Sequence, residues 1–153
     1  MKLLDFIICD DIRSEVGGKL SFMGVFGHNV ALQVRTGTPR PVPFRCAVFF
    51  RFFIEAQDPI PESFQILIFH GAKEFARLDG TITATGRQAL FGIASPSITL
   101  PVAESGKLSF VTKISAGGNV VLEAKPPYDI DISIADTDGP TVKPTEGGET
   151  AGK

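Results

Sequence analysis

The sequence is poor in the residues that most often carry chemistry. It has no tryptophan, one tyrosine, two cysteines and two histidines among 153 residues. It contains no Cys-x-x-Cys, His-Glu-x-x-His, Gly-x-Ser-x-Gly, phosphate-loop or dinucleotide-binding pattern. His28 lies beside a glycine in a predicted turn, and His70 ends a predicted strand. These absences predict that the protein is not an enzyme and holds no cofactor.

The sequence also carries no large excess of positive or negative charge. Fifteen Lys and Arg residues stand against 17 Asp and Glu, so the formal net charge is -2. Because such a chain has no broad positive field for a phosphate backbone, we expect no nucleic-acid partner. No apolar run approaches the ~20 residues of a membrane helix, and Asp5 interrupts the apolar run near the N-terminus. The sequence therefore predicts a cytoplasmic protein with no membrane segment.

The two cysteines, Cys9 and Cys46, both lie inside apolar runs. A thiol in such a run commonly behaves as a small buried hydrophobe. If the two strands are neighbours the cysteines could instead pair, but spacing in the sequence does not fix the separation that a disulfide needs.

Strand-type alternation recurs along the chain, whereas helix-type periodicity is nearly absent. Glycine pairs at 17–18 and 117–118 predict the turns of two hairpins. Only residues 72–78 favour a helix by propensity, and because that segment is so short we expect a strand or a brief turn. Eight to ten short strands punctuated by Pro and Gly predict an all-β fold, an antiparallel β-sandwich of immunoglobulin-like or C2-like type.

The composition changes near residue 136. Residues 136–153 contain Val142 as their one sizeable apolar side chain, too little to offset the entropy of ordering the segment. We therefore expect a single β-sandwich domain over residues 1–135 and a disordered C-terminal tail over residues 136–153.

The segment Phe44–Glu55 places large apolar side chains on both faces of a strand. One face is an ordinary core face, but the other mixes two arginines with two phenylalanines. Because Arg and aromatic residues concentrate binding energy at interfaces, we expect Arg45, Phe49, Arg51 and Phe53 to bind a protein partner or a second copy. The alternative is that this face is a second wall of the sandwich, with both arginines at its margin.

Acidic residues occur in pairs near predicted loops. Asp10 and Asp11 are expected to follow the first strand, and Asp129 and Asp131 lie late in the chain. Loops at one end of a sandwich can gather carboxylates around Ca²⁺, so these four are weak metal candidates, with Asp58 as a further member of a loop site. Two simpler roles explain the pairs equally well: Asp10 and Asp11 can begin a turn, and Asp129 and Asp131 can form the solvated face of a strand.

Three blocks in the N-terminal third resemble a family of small bacterial proteins classed as a domain of unknown function. The blocks are Cys9–Arg13, Gly18–Ser21 and Gly24–Gly27, and the resemblance covers roughly the first 55 residues. It implies a compact β domain of bacterial or phage origin and carries no catalytic residues over. Residues 136–153 depart from the family pattern.

Together these features predict a non-catalytic protein-interaction or structural module that meets a protein partner or its own copy. The alternative is a ligand- or calcium-binding domain, less readily a hydrolytic one, whose site lies in the acidic loops.

Overall fold

The computed structural model describes residues 1–83 and 86–138, and in these ranges the chain forms strands and no helix. Accordingly, no helix that could cross a membrane occurs in these ranges. Eleven strands follow one another: β1 (Lys2–Ser14), β2 (Leu20–Val25), β3 (Asn29–Arg35), β4 (Val42–Ile54), β5 (Ser63–His70), β6 (Lys73–Thr81), β7 (Ala89–Ala94), β8 (Ile98–Val102), β9 (Gly106–Ala116), β10 (Asn119–Ala124) and β11 (Ile130–Thr137). The predicted all-β, sandwich-like fold is confirmed, with one strand more than the expected maximum.

Two sheets face each other. The first has the order β2-β1-β4-β7, with β8 also paired to β4, and the second has the order β3-β11-β9-β5-β6, with β10 also paired to β9. All pairs are antiparallel except β11 with β3, which run parallel from Asp131 beside Asn29 to Thr137 beside Arg35. The second sheet is therefore mixed, whereas the first sheet is purely antiparallel.

The core lies between the sheets, and its centre is the inner face of β4. As the alternation predicted, this face is buried along its whole length: Val42, Phe44, Cys46, Val48, Phe50, Phe52 and Ile54. The ring of Phe50 packs against Phe6, Phe52 and Phe64 with centroids 6.1 to 6.2 Å apart. Each fully buried Phe contributes about 1.5–3 kcal/mol, so this cluster anchors both sheets.

Both predicted hairpins are present. Gly17 and Gly18 connect β1 to β2 with φ of 80° and 72°, and Gly117 and Gly118 connect β9 to β10 with φ of 56° and 77°. Because positive φ is strained for residues with a Cβ, these glycines allow the tight turns that bring the strands into register.

Residues 72–78 lie mostly in β6, as a strand rather than a helix. Leu78 and Ala76 pair with Ile66 and Ile68 of β5, so burial against the core overrides the local helix propensity. At the C-terminal end, β11 continues to Thr137, two residues past the expected domain boundary, and the predicted tail from residue 139 onward lies outside the described residues.

Candidate functional site

The outer face of β4 is covered in part by the chain itself. Phe49 is only 9% exposed, because Phe22 of β2 packs on its ring with centroids 5.0 Å apart. On the other side, a Cβ built on Gly92 of β7 would lie 3.2 Å from the Phe49 ring, so glycine permits the close approach. Phe49 is therefore not the exposed partner contact that the sequence suggested. The alternative interpretation of this face, as a second wall, also predicts a covered Phe49, and the cover comes here from Phe22 and Gly92 of the same sheet.

Arg51 and Asp5 form an ion pair beside this aromatic contact. Arg51 Nε and Nη2 lie 2.6 and 2.5 Å from Asp5 Oδ2, and both side chains remain partly exposed. The two residues are direct cross-strand neighbours in the β1–β4 register, and Ile7 and Phe49 form another such pair on the same face. Exposed pairs of this kind contribute only about 0–1 kcal/mol to stability, but the register fixes the position of both charges.

A shallow hollow lies beside the ion pair, with a volume of about 340 Å³. Its walls come from β1, β2, β4 and a glycine of the β1–β2 turn, and its side chains are Asp5, Ile7, Leu20, Phe22, Phe49 and Arg51. The floor is aromatic and aliphatic, while the rim carries one charge of each sign. An apolar floor with a few placed polar groups is the usual composition of a small-molecule site.

Arg45 lies nearer the other end of β4 and is tied to its neighbours. Its Nε donates to Ser97 Oγ at 2.6 Å, and its Nη2 lies 3.8 Å from Asp11 Oδ1. Asp11 also lies 3.6 Å from Arg13 Nε.

Phe53 is partly buried and pairs with Leu90 of β7. Of the four predicted contact residues, Arg45, Arg51 and Phe53 thus retain exposed surface.

The acidic candidates are placed differently from the prediction. Asp10 and Asp11 lie inside β1 rather than after it, because Asp11 pairs with Met23 and the hairpin continues to Ser14 beside Leu20. Asp11 faces two arginines, Arg13 and Arg45, rather than the late acidic residues.

The late pair faces a cation of the chain itself. Asp129 and Asp131 both lie about 4 Å from Lys107 Nζ, at 3.9 and 4.0 Å, and Asp58 binds the N-terminal amine. Over residues 1–83 and 86–138, no group of three or more His, Cys, Asp and Glu side chains is placed to hold a metal ion.

The outer edge of the first sheet is formed by β7, a feature that the sequence analysis did not single out. β7 carries no charged residue, no proline and no bulge in its pairing with β4. Among the described residues it pairs with no second strand. Leu90 projects from it with 61% of its surface exposed. The uncharged run Ala89–Ala94 was the one sign of this edge in the sequence. The same run is typical of a buried strand, so the sequence alone does not show that the strand lies at an edge.

Both cysteines are buried free thiols. Burial raises the pKa of Cys46 to about 12, and the nearby Cys9 and Asp10 act in the same direction. Burial also raises the pKa of Cys9, although a hydrogen bond with the Asp11 backbone opposes the shift. Because the thiolate is the reactive form, neither side chain is an activated nucleophile.

The two histidines make aromatic contacts. His28 packs against Tyr128 with ring centroids 4.7 Å apart, and His70 packs against Phe75 at 5.7 Å. A Cβ on Gly106 would overlap His70 Nε2, so this nitrogen faces the backbone of β9. Both histidines thus occupy structural positions.

No protein-family model matches the sequence, and no curated protein matches it either. The resemblance to a bacterial family therefore stays a prediction. Among solved structures, one match is a superoxide reductase (neelaredoxin) from Ignicoccus hospitalis, with 14% identity, TM-score 0.32, and coverage of 84% of this chain and 83% of that chain. Another is a substituted form of a superoxide reductase (neelaredoxin) from the same organism, with 15% identity, TM-score 0.30, and coverage of 66% of this chain and 73% of that chain.

These matches bear on the functional prediction. A non-catalytic interaction or structural module, or a ligand- or calcium-binding domain with its site in the acidic loops, was expected. The matching structures are titled as a redox enzyme and so do not bear out that prediction. At such identities and TM-scores, the likeness assigns no reaction to this chain.

Proposed function

We propose that the protein associates with a second copy of itself by pairing β7 with β7 across a two-fold axis. The observation that carries the proposal is the open edge of β7, where Leu90 is 61% exposed on a strand without charge, proline or bulge. An edge of this kind presents unpaired backbone N–H and C=O groups to another strand, and soluble proteins ordinarily protect it.

The other edge strands carry such protection. β8 contains Pro101, and β10 contains Glu123 and an irregular register between Val120 and Leu122. β6 has four charged residues and an irregular register between Ile68 and Phe69 of its partner β5. β2 is interrupted by Gly24, whose φ is 62°. β3 ends in Arg35 and exposes Asn29 and Gln33. β7 is therefore the edge best suited to accept a strand.

The side chains of β7 also alternate in size in a way that suits a two-fold pair. Leu90, Gly92 and Ala94 share the outer face, since they pair with Phe53, Arg51 and Phe49 of β4. In an antiparallel two-fold pair centred on Phe91, Leu90 lies opposite Gly92 of the second copy. In a pair centred on Gly92, it lies opposite Ala94. Either register gives the exposed leucine a small neighbour, and each buried Leu contributes about 1.5–3 kcal/mol.

Sedimentation equilibrium over a range of concentrations tests this proposal. We expect a species of twice the 16.4 kDa chain mass that dissociates on dilution. Leu90→Lys should give a folded monomer, because a charge then lies at the shared edge. Val16→Lys is the matched control, since Val16 is 96% exposed in the β1–β2 turn. A wild-type monomer at every concentration, or a Leu90→Lys dimer as tight as wild type, would overturn the proposal.

We also propose a cytoplasmic location. Its support is that Cys9 and Cys46 are both free thiols, the form that reducing compartments maintain.

A further inference from the structure

The Asp5–Arg51 pair uses only part of its bonding capacity. Both donors that reach Asp5, Nε and Nη2 of Arg51, contact the same oxygen, Oδ2. Among the described residues, Asp5 Oδ1 and Arg51 Nη1 have no hydrogen-bond partner. A guanidinium has five N–H donors and a carboxylate about four acceptor sites, so the pair can still accept one cationic and one anionic group.

The floor next to this pair is apolar and of limited size. The Phe22 and Phe49 rings meet at 56° with centroids 5.0 Å apart, and Ile7 and Leu20 border them. The volume of about 340 Å³ lies near the lower end of the range for ligand pockets, about 300–1,000 Å³. The occupant must therefore be a small molecule with one apolar group.

We propose that this hollow binds a free α-amino acid with a large apolar side chain, such as L-phenylalanine or L-leucine. The ligand carboxylate accepts from Arg51 Nη1, the ligand ammonium donates to Asp5 Oδ1, and the side chain packs on the rings of Phe22 and Phe49. The hollow lies on the outer face of the first sheet and is lined by residues of β1, β2, β4 and the β1–β2 turn, not by β7, so binding does not depend on self-association.

The charges of the rim select a zwitterion over a simple ion. Arg51 is already neutralised by Asp5. A ligand with only a carboxylate would be attracted by the Arg51 guanidinium, but the Asp5 carboxylate nearby would repel it. A ligand with only an ammonium group would be attracted by Asp5 and repelled by Arg51. An α-amino acid places both charges on neighbouring atoms and satisfies both groups at once, which is electrostatic complementarity of the kind that gives specificity.

Isothermal titration of the full chain with L-phenylalanine tests the proposal, with phenylacetate and phenylethylamine as analogues that each lack one charged group. We expect binding of L-phenylalanine, and affinities about tenfold weaker or worse for both analogues, because each leaves a charged partner unsatisfied. Equal binding of phenylacetate would overturn the zwitterion assignment, and no binding of L-phenylalanine or L-leucine would overturn the site.

Variants locate the binding within the chain. Arg51→Gln and Asp5→Asn should each weaken L-phenylalanine binding about tenfold or more, since each removes one charge and keeps a polar side chain in its place. Arg77→Gln is the matched control, because Arg77 forms a similar exposed pair with Glu74 on the second sheet. Unchanged affinity in both Arg51→Gln and Asp5→Asn would overturn the assignment. Leu90→Lys should bind like wild type, which separates failure of this site from failure of the β7 association.

Discussion

Ser95 and Val48 hold each other by two hydrogen bonds. The Val48 N–H donates to Ser95 Oγ at 2.7 Å, and the Ser95 N–H donates to the Val48 carbonyl at 2.8 Å. Ser95 lies between β7 and β8, where Pro96 interrupts the edge strand that runs along β4. The buried hydroxyl thus replaces a backbone acceptor that the interruption removes from the ladder.

Ser95→Ala should destabilise the protein. The substitution leaves the Val48 N–H buried without a partner, and an unsatisfied buried group costs about 1–3 kcal/mol. Urea unfolding followed by circular dichroism measures the loss. Ser97→Ala is the control, because the Ser97 hydroxyl contacts Arg45 and the Asp10 carbonyl at an exposed position where water can replace it. An equal loss of stability in both variants would contradict the role given to Ser95.

The two thiols should be unreactive in the folded protein. Burial raises the pKa of Cys46 to about 12, and that of Cys9 is also raised, so little thiolate exists near pH 8. With a chromogenic disulfide reagent we expect slow labelling in native buffer and two thiols titrated per chain in denaturant. Rapid labelling of a native thiol at pH 8 would show that a cysteine is accessible.

Asp58 should make stability depend on pH in the acidic range. Its pKa is lowered, first by the hydrogen bond with the N-terminal ammonium of Met1 and then by the bond that the Glu55 N–H donates to it. Because the folded pKa lies below the unfolded value of about 3.9, this contribution is complete above that value and is lost as pH falls through the folded pKa.

Melting temperatures between neutral and strongly acidic pH measure this contribution. Asp58→Asn should melt lower than wild type near neutral pH, and the difference should shrink as pH falls from about 4 through the lower folded pKa, where the wild-type carboxyl also loses its charge. A constant difference across the acidic range would contradict the assignment.

The inner faces of the strands were predictable from the sequence, because alternation alone decides which side chains share a face. Phe44, Phe50 and Phe52 illustrate this, since the two-residue period of a strand places them together regardless of strand order. The turns of the two hairpins were predictable for a similar local reason, the positive φ that only glycine adopts readily.

The outer face was not predictable, because its cover depends on tertiary geometry. Nothing near Phe22 in the sequence shows that its ring will lie on Phe49, and nothing near Gly92 shows that its lack of a side chain makes room there. The pair Asp10-Asp11 was misleading, since acidic residues commonly open turns, whereas here the long hairpin keeps them in a strand.

The parallel pair of β11 and β3 imposes an order on folding. β3 has β11 as its one neighbour among the described strands, so residues 29–35 have no pairing partner until residues 131–137 are available. During synthesis the second sheet therefore stays incomplete while the ribosome translates about a hundred further codons, and closure of that sheet becomes a late event in folding.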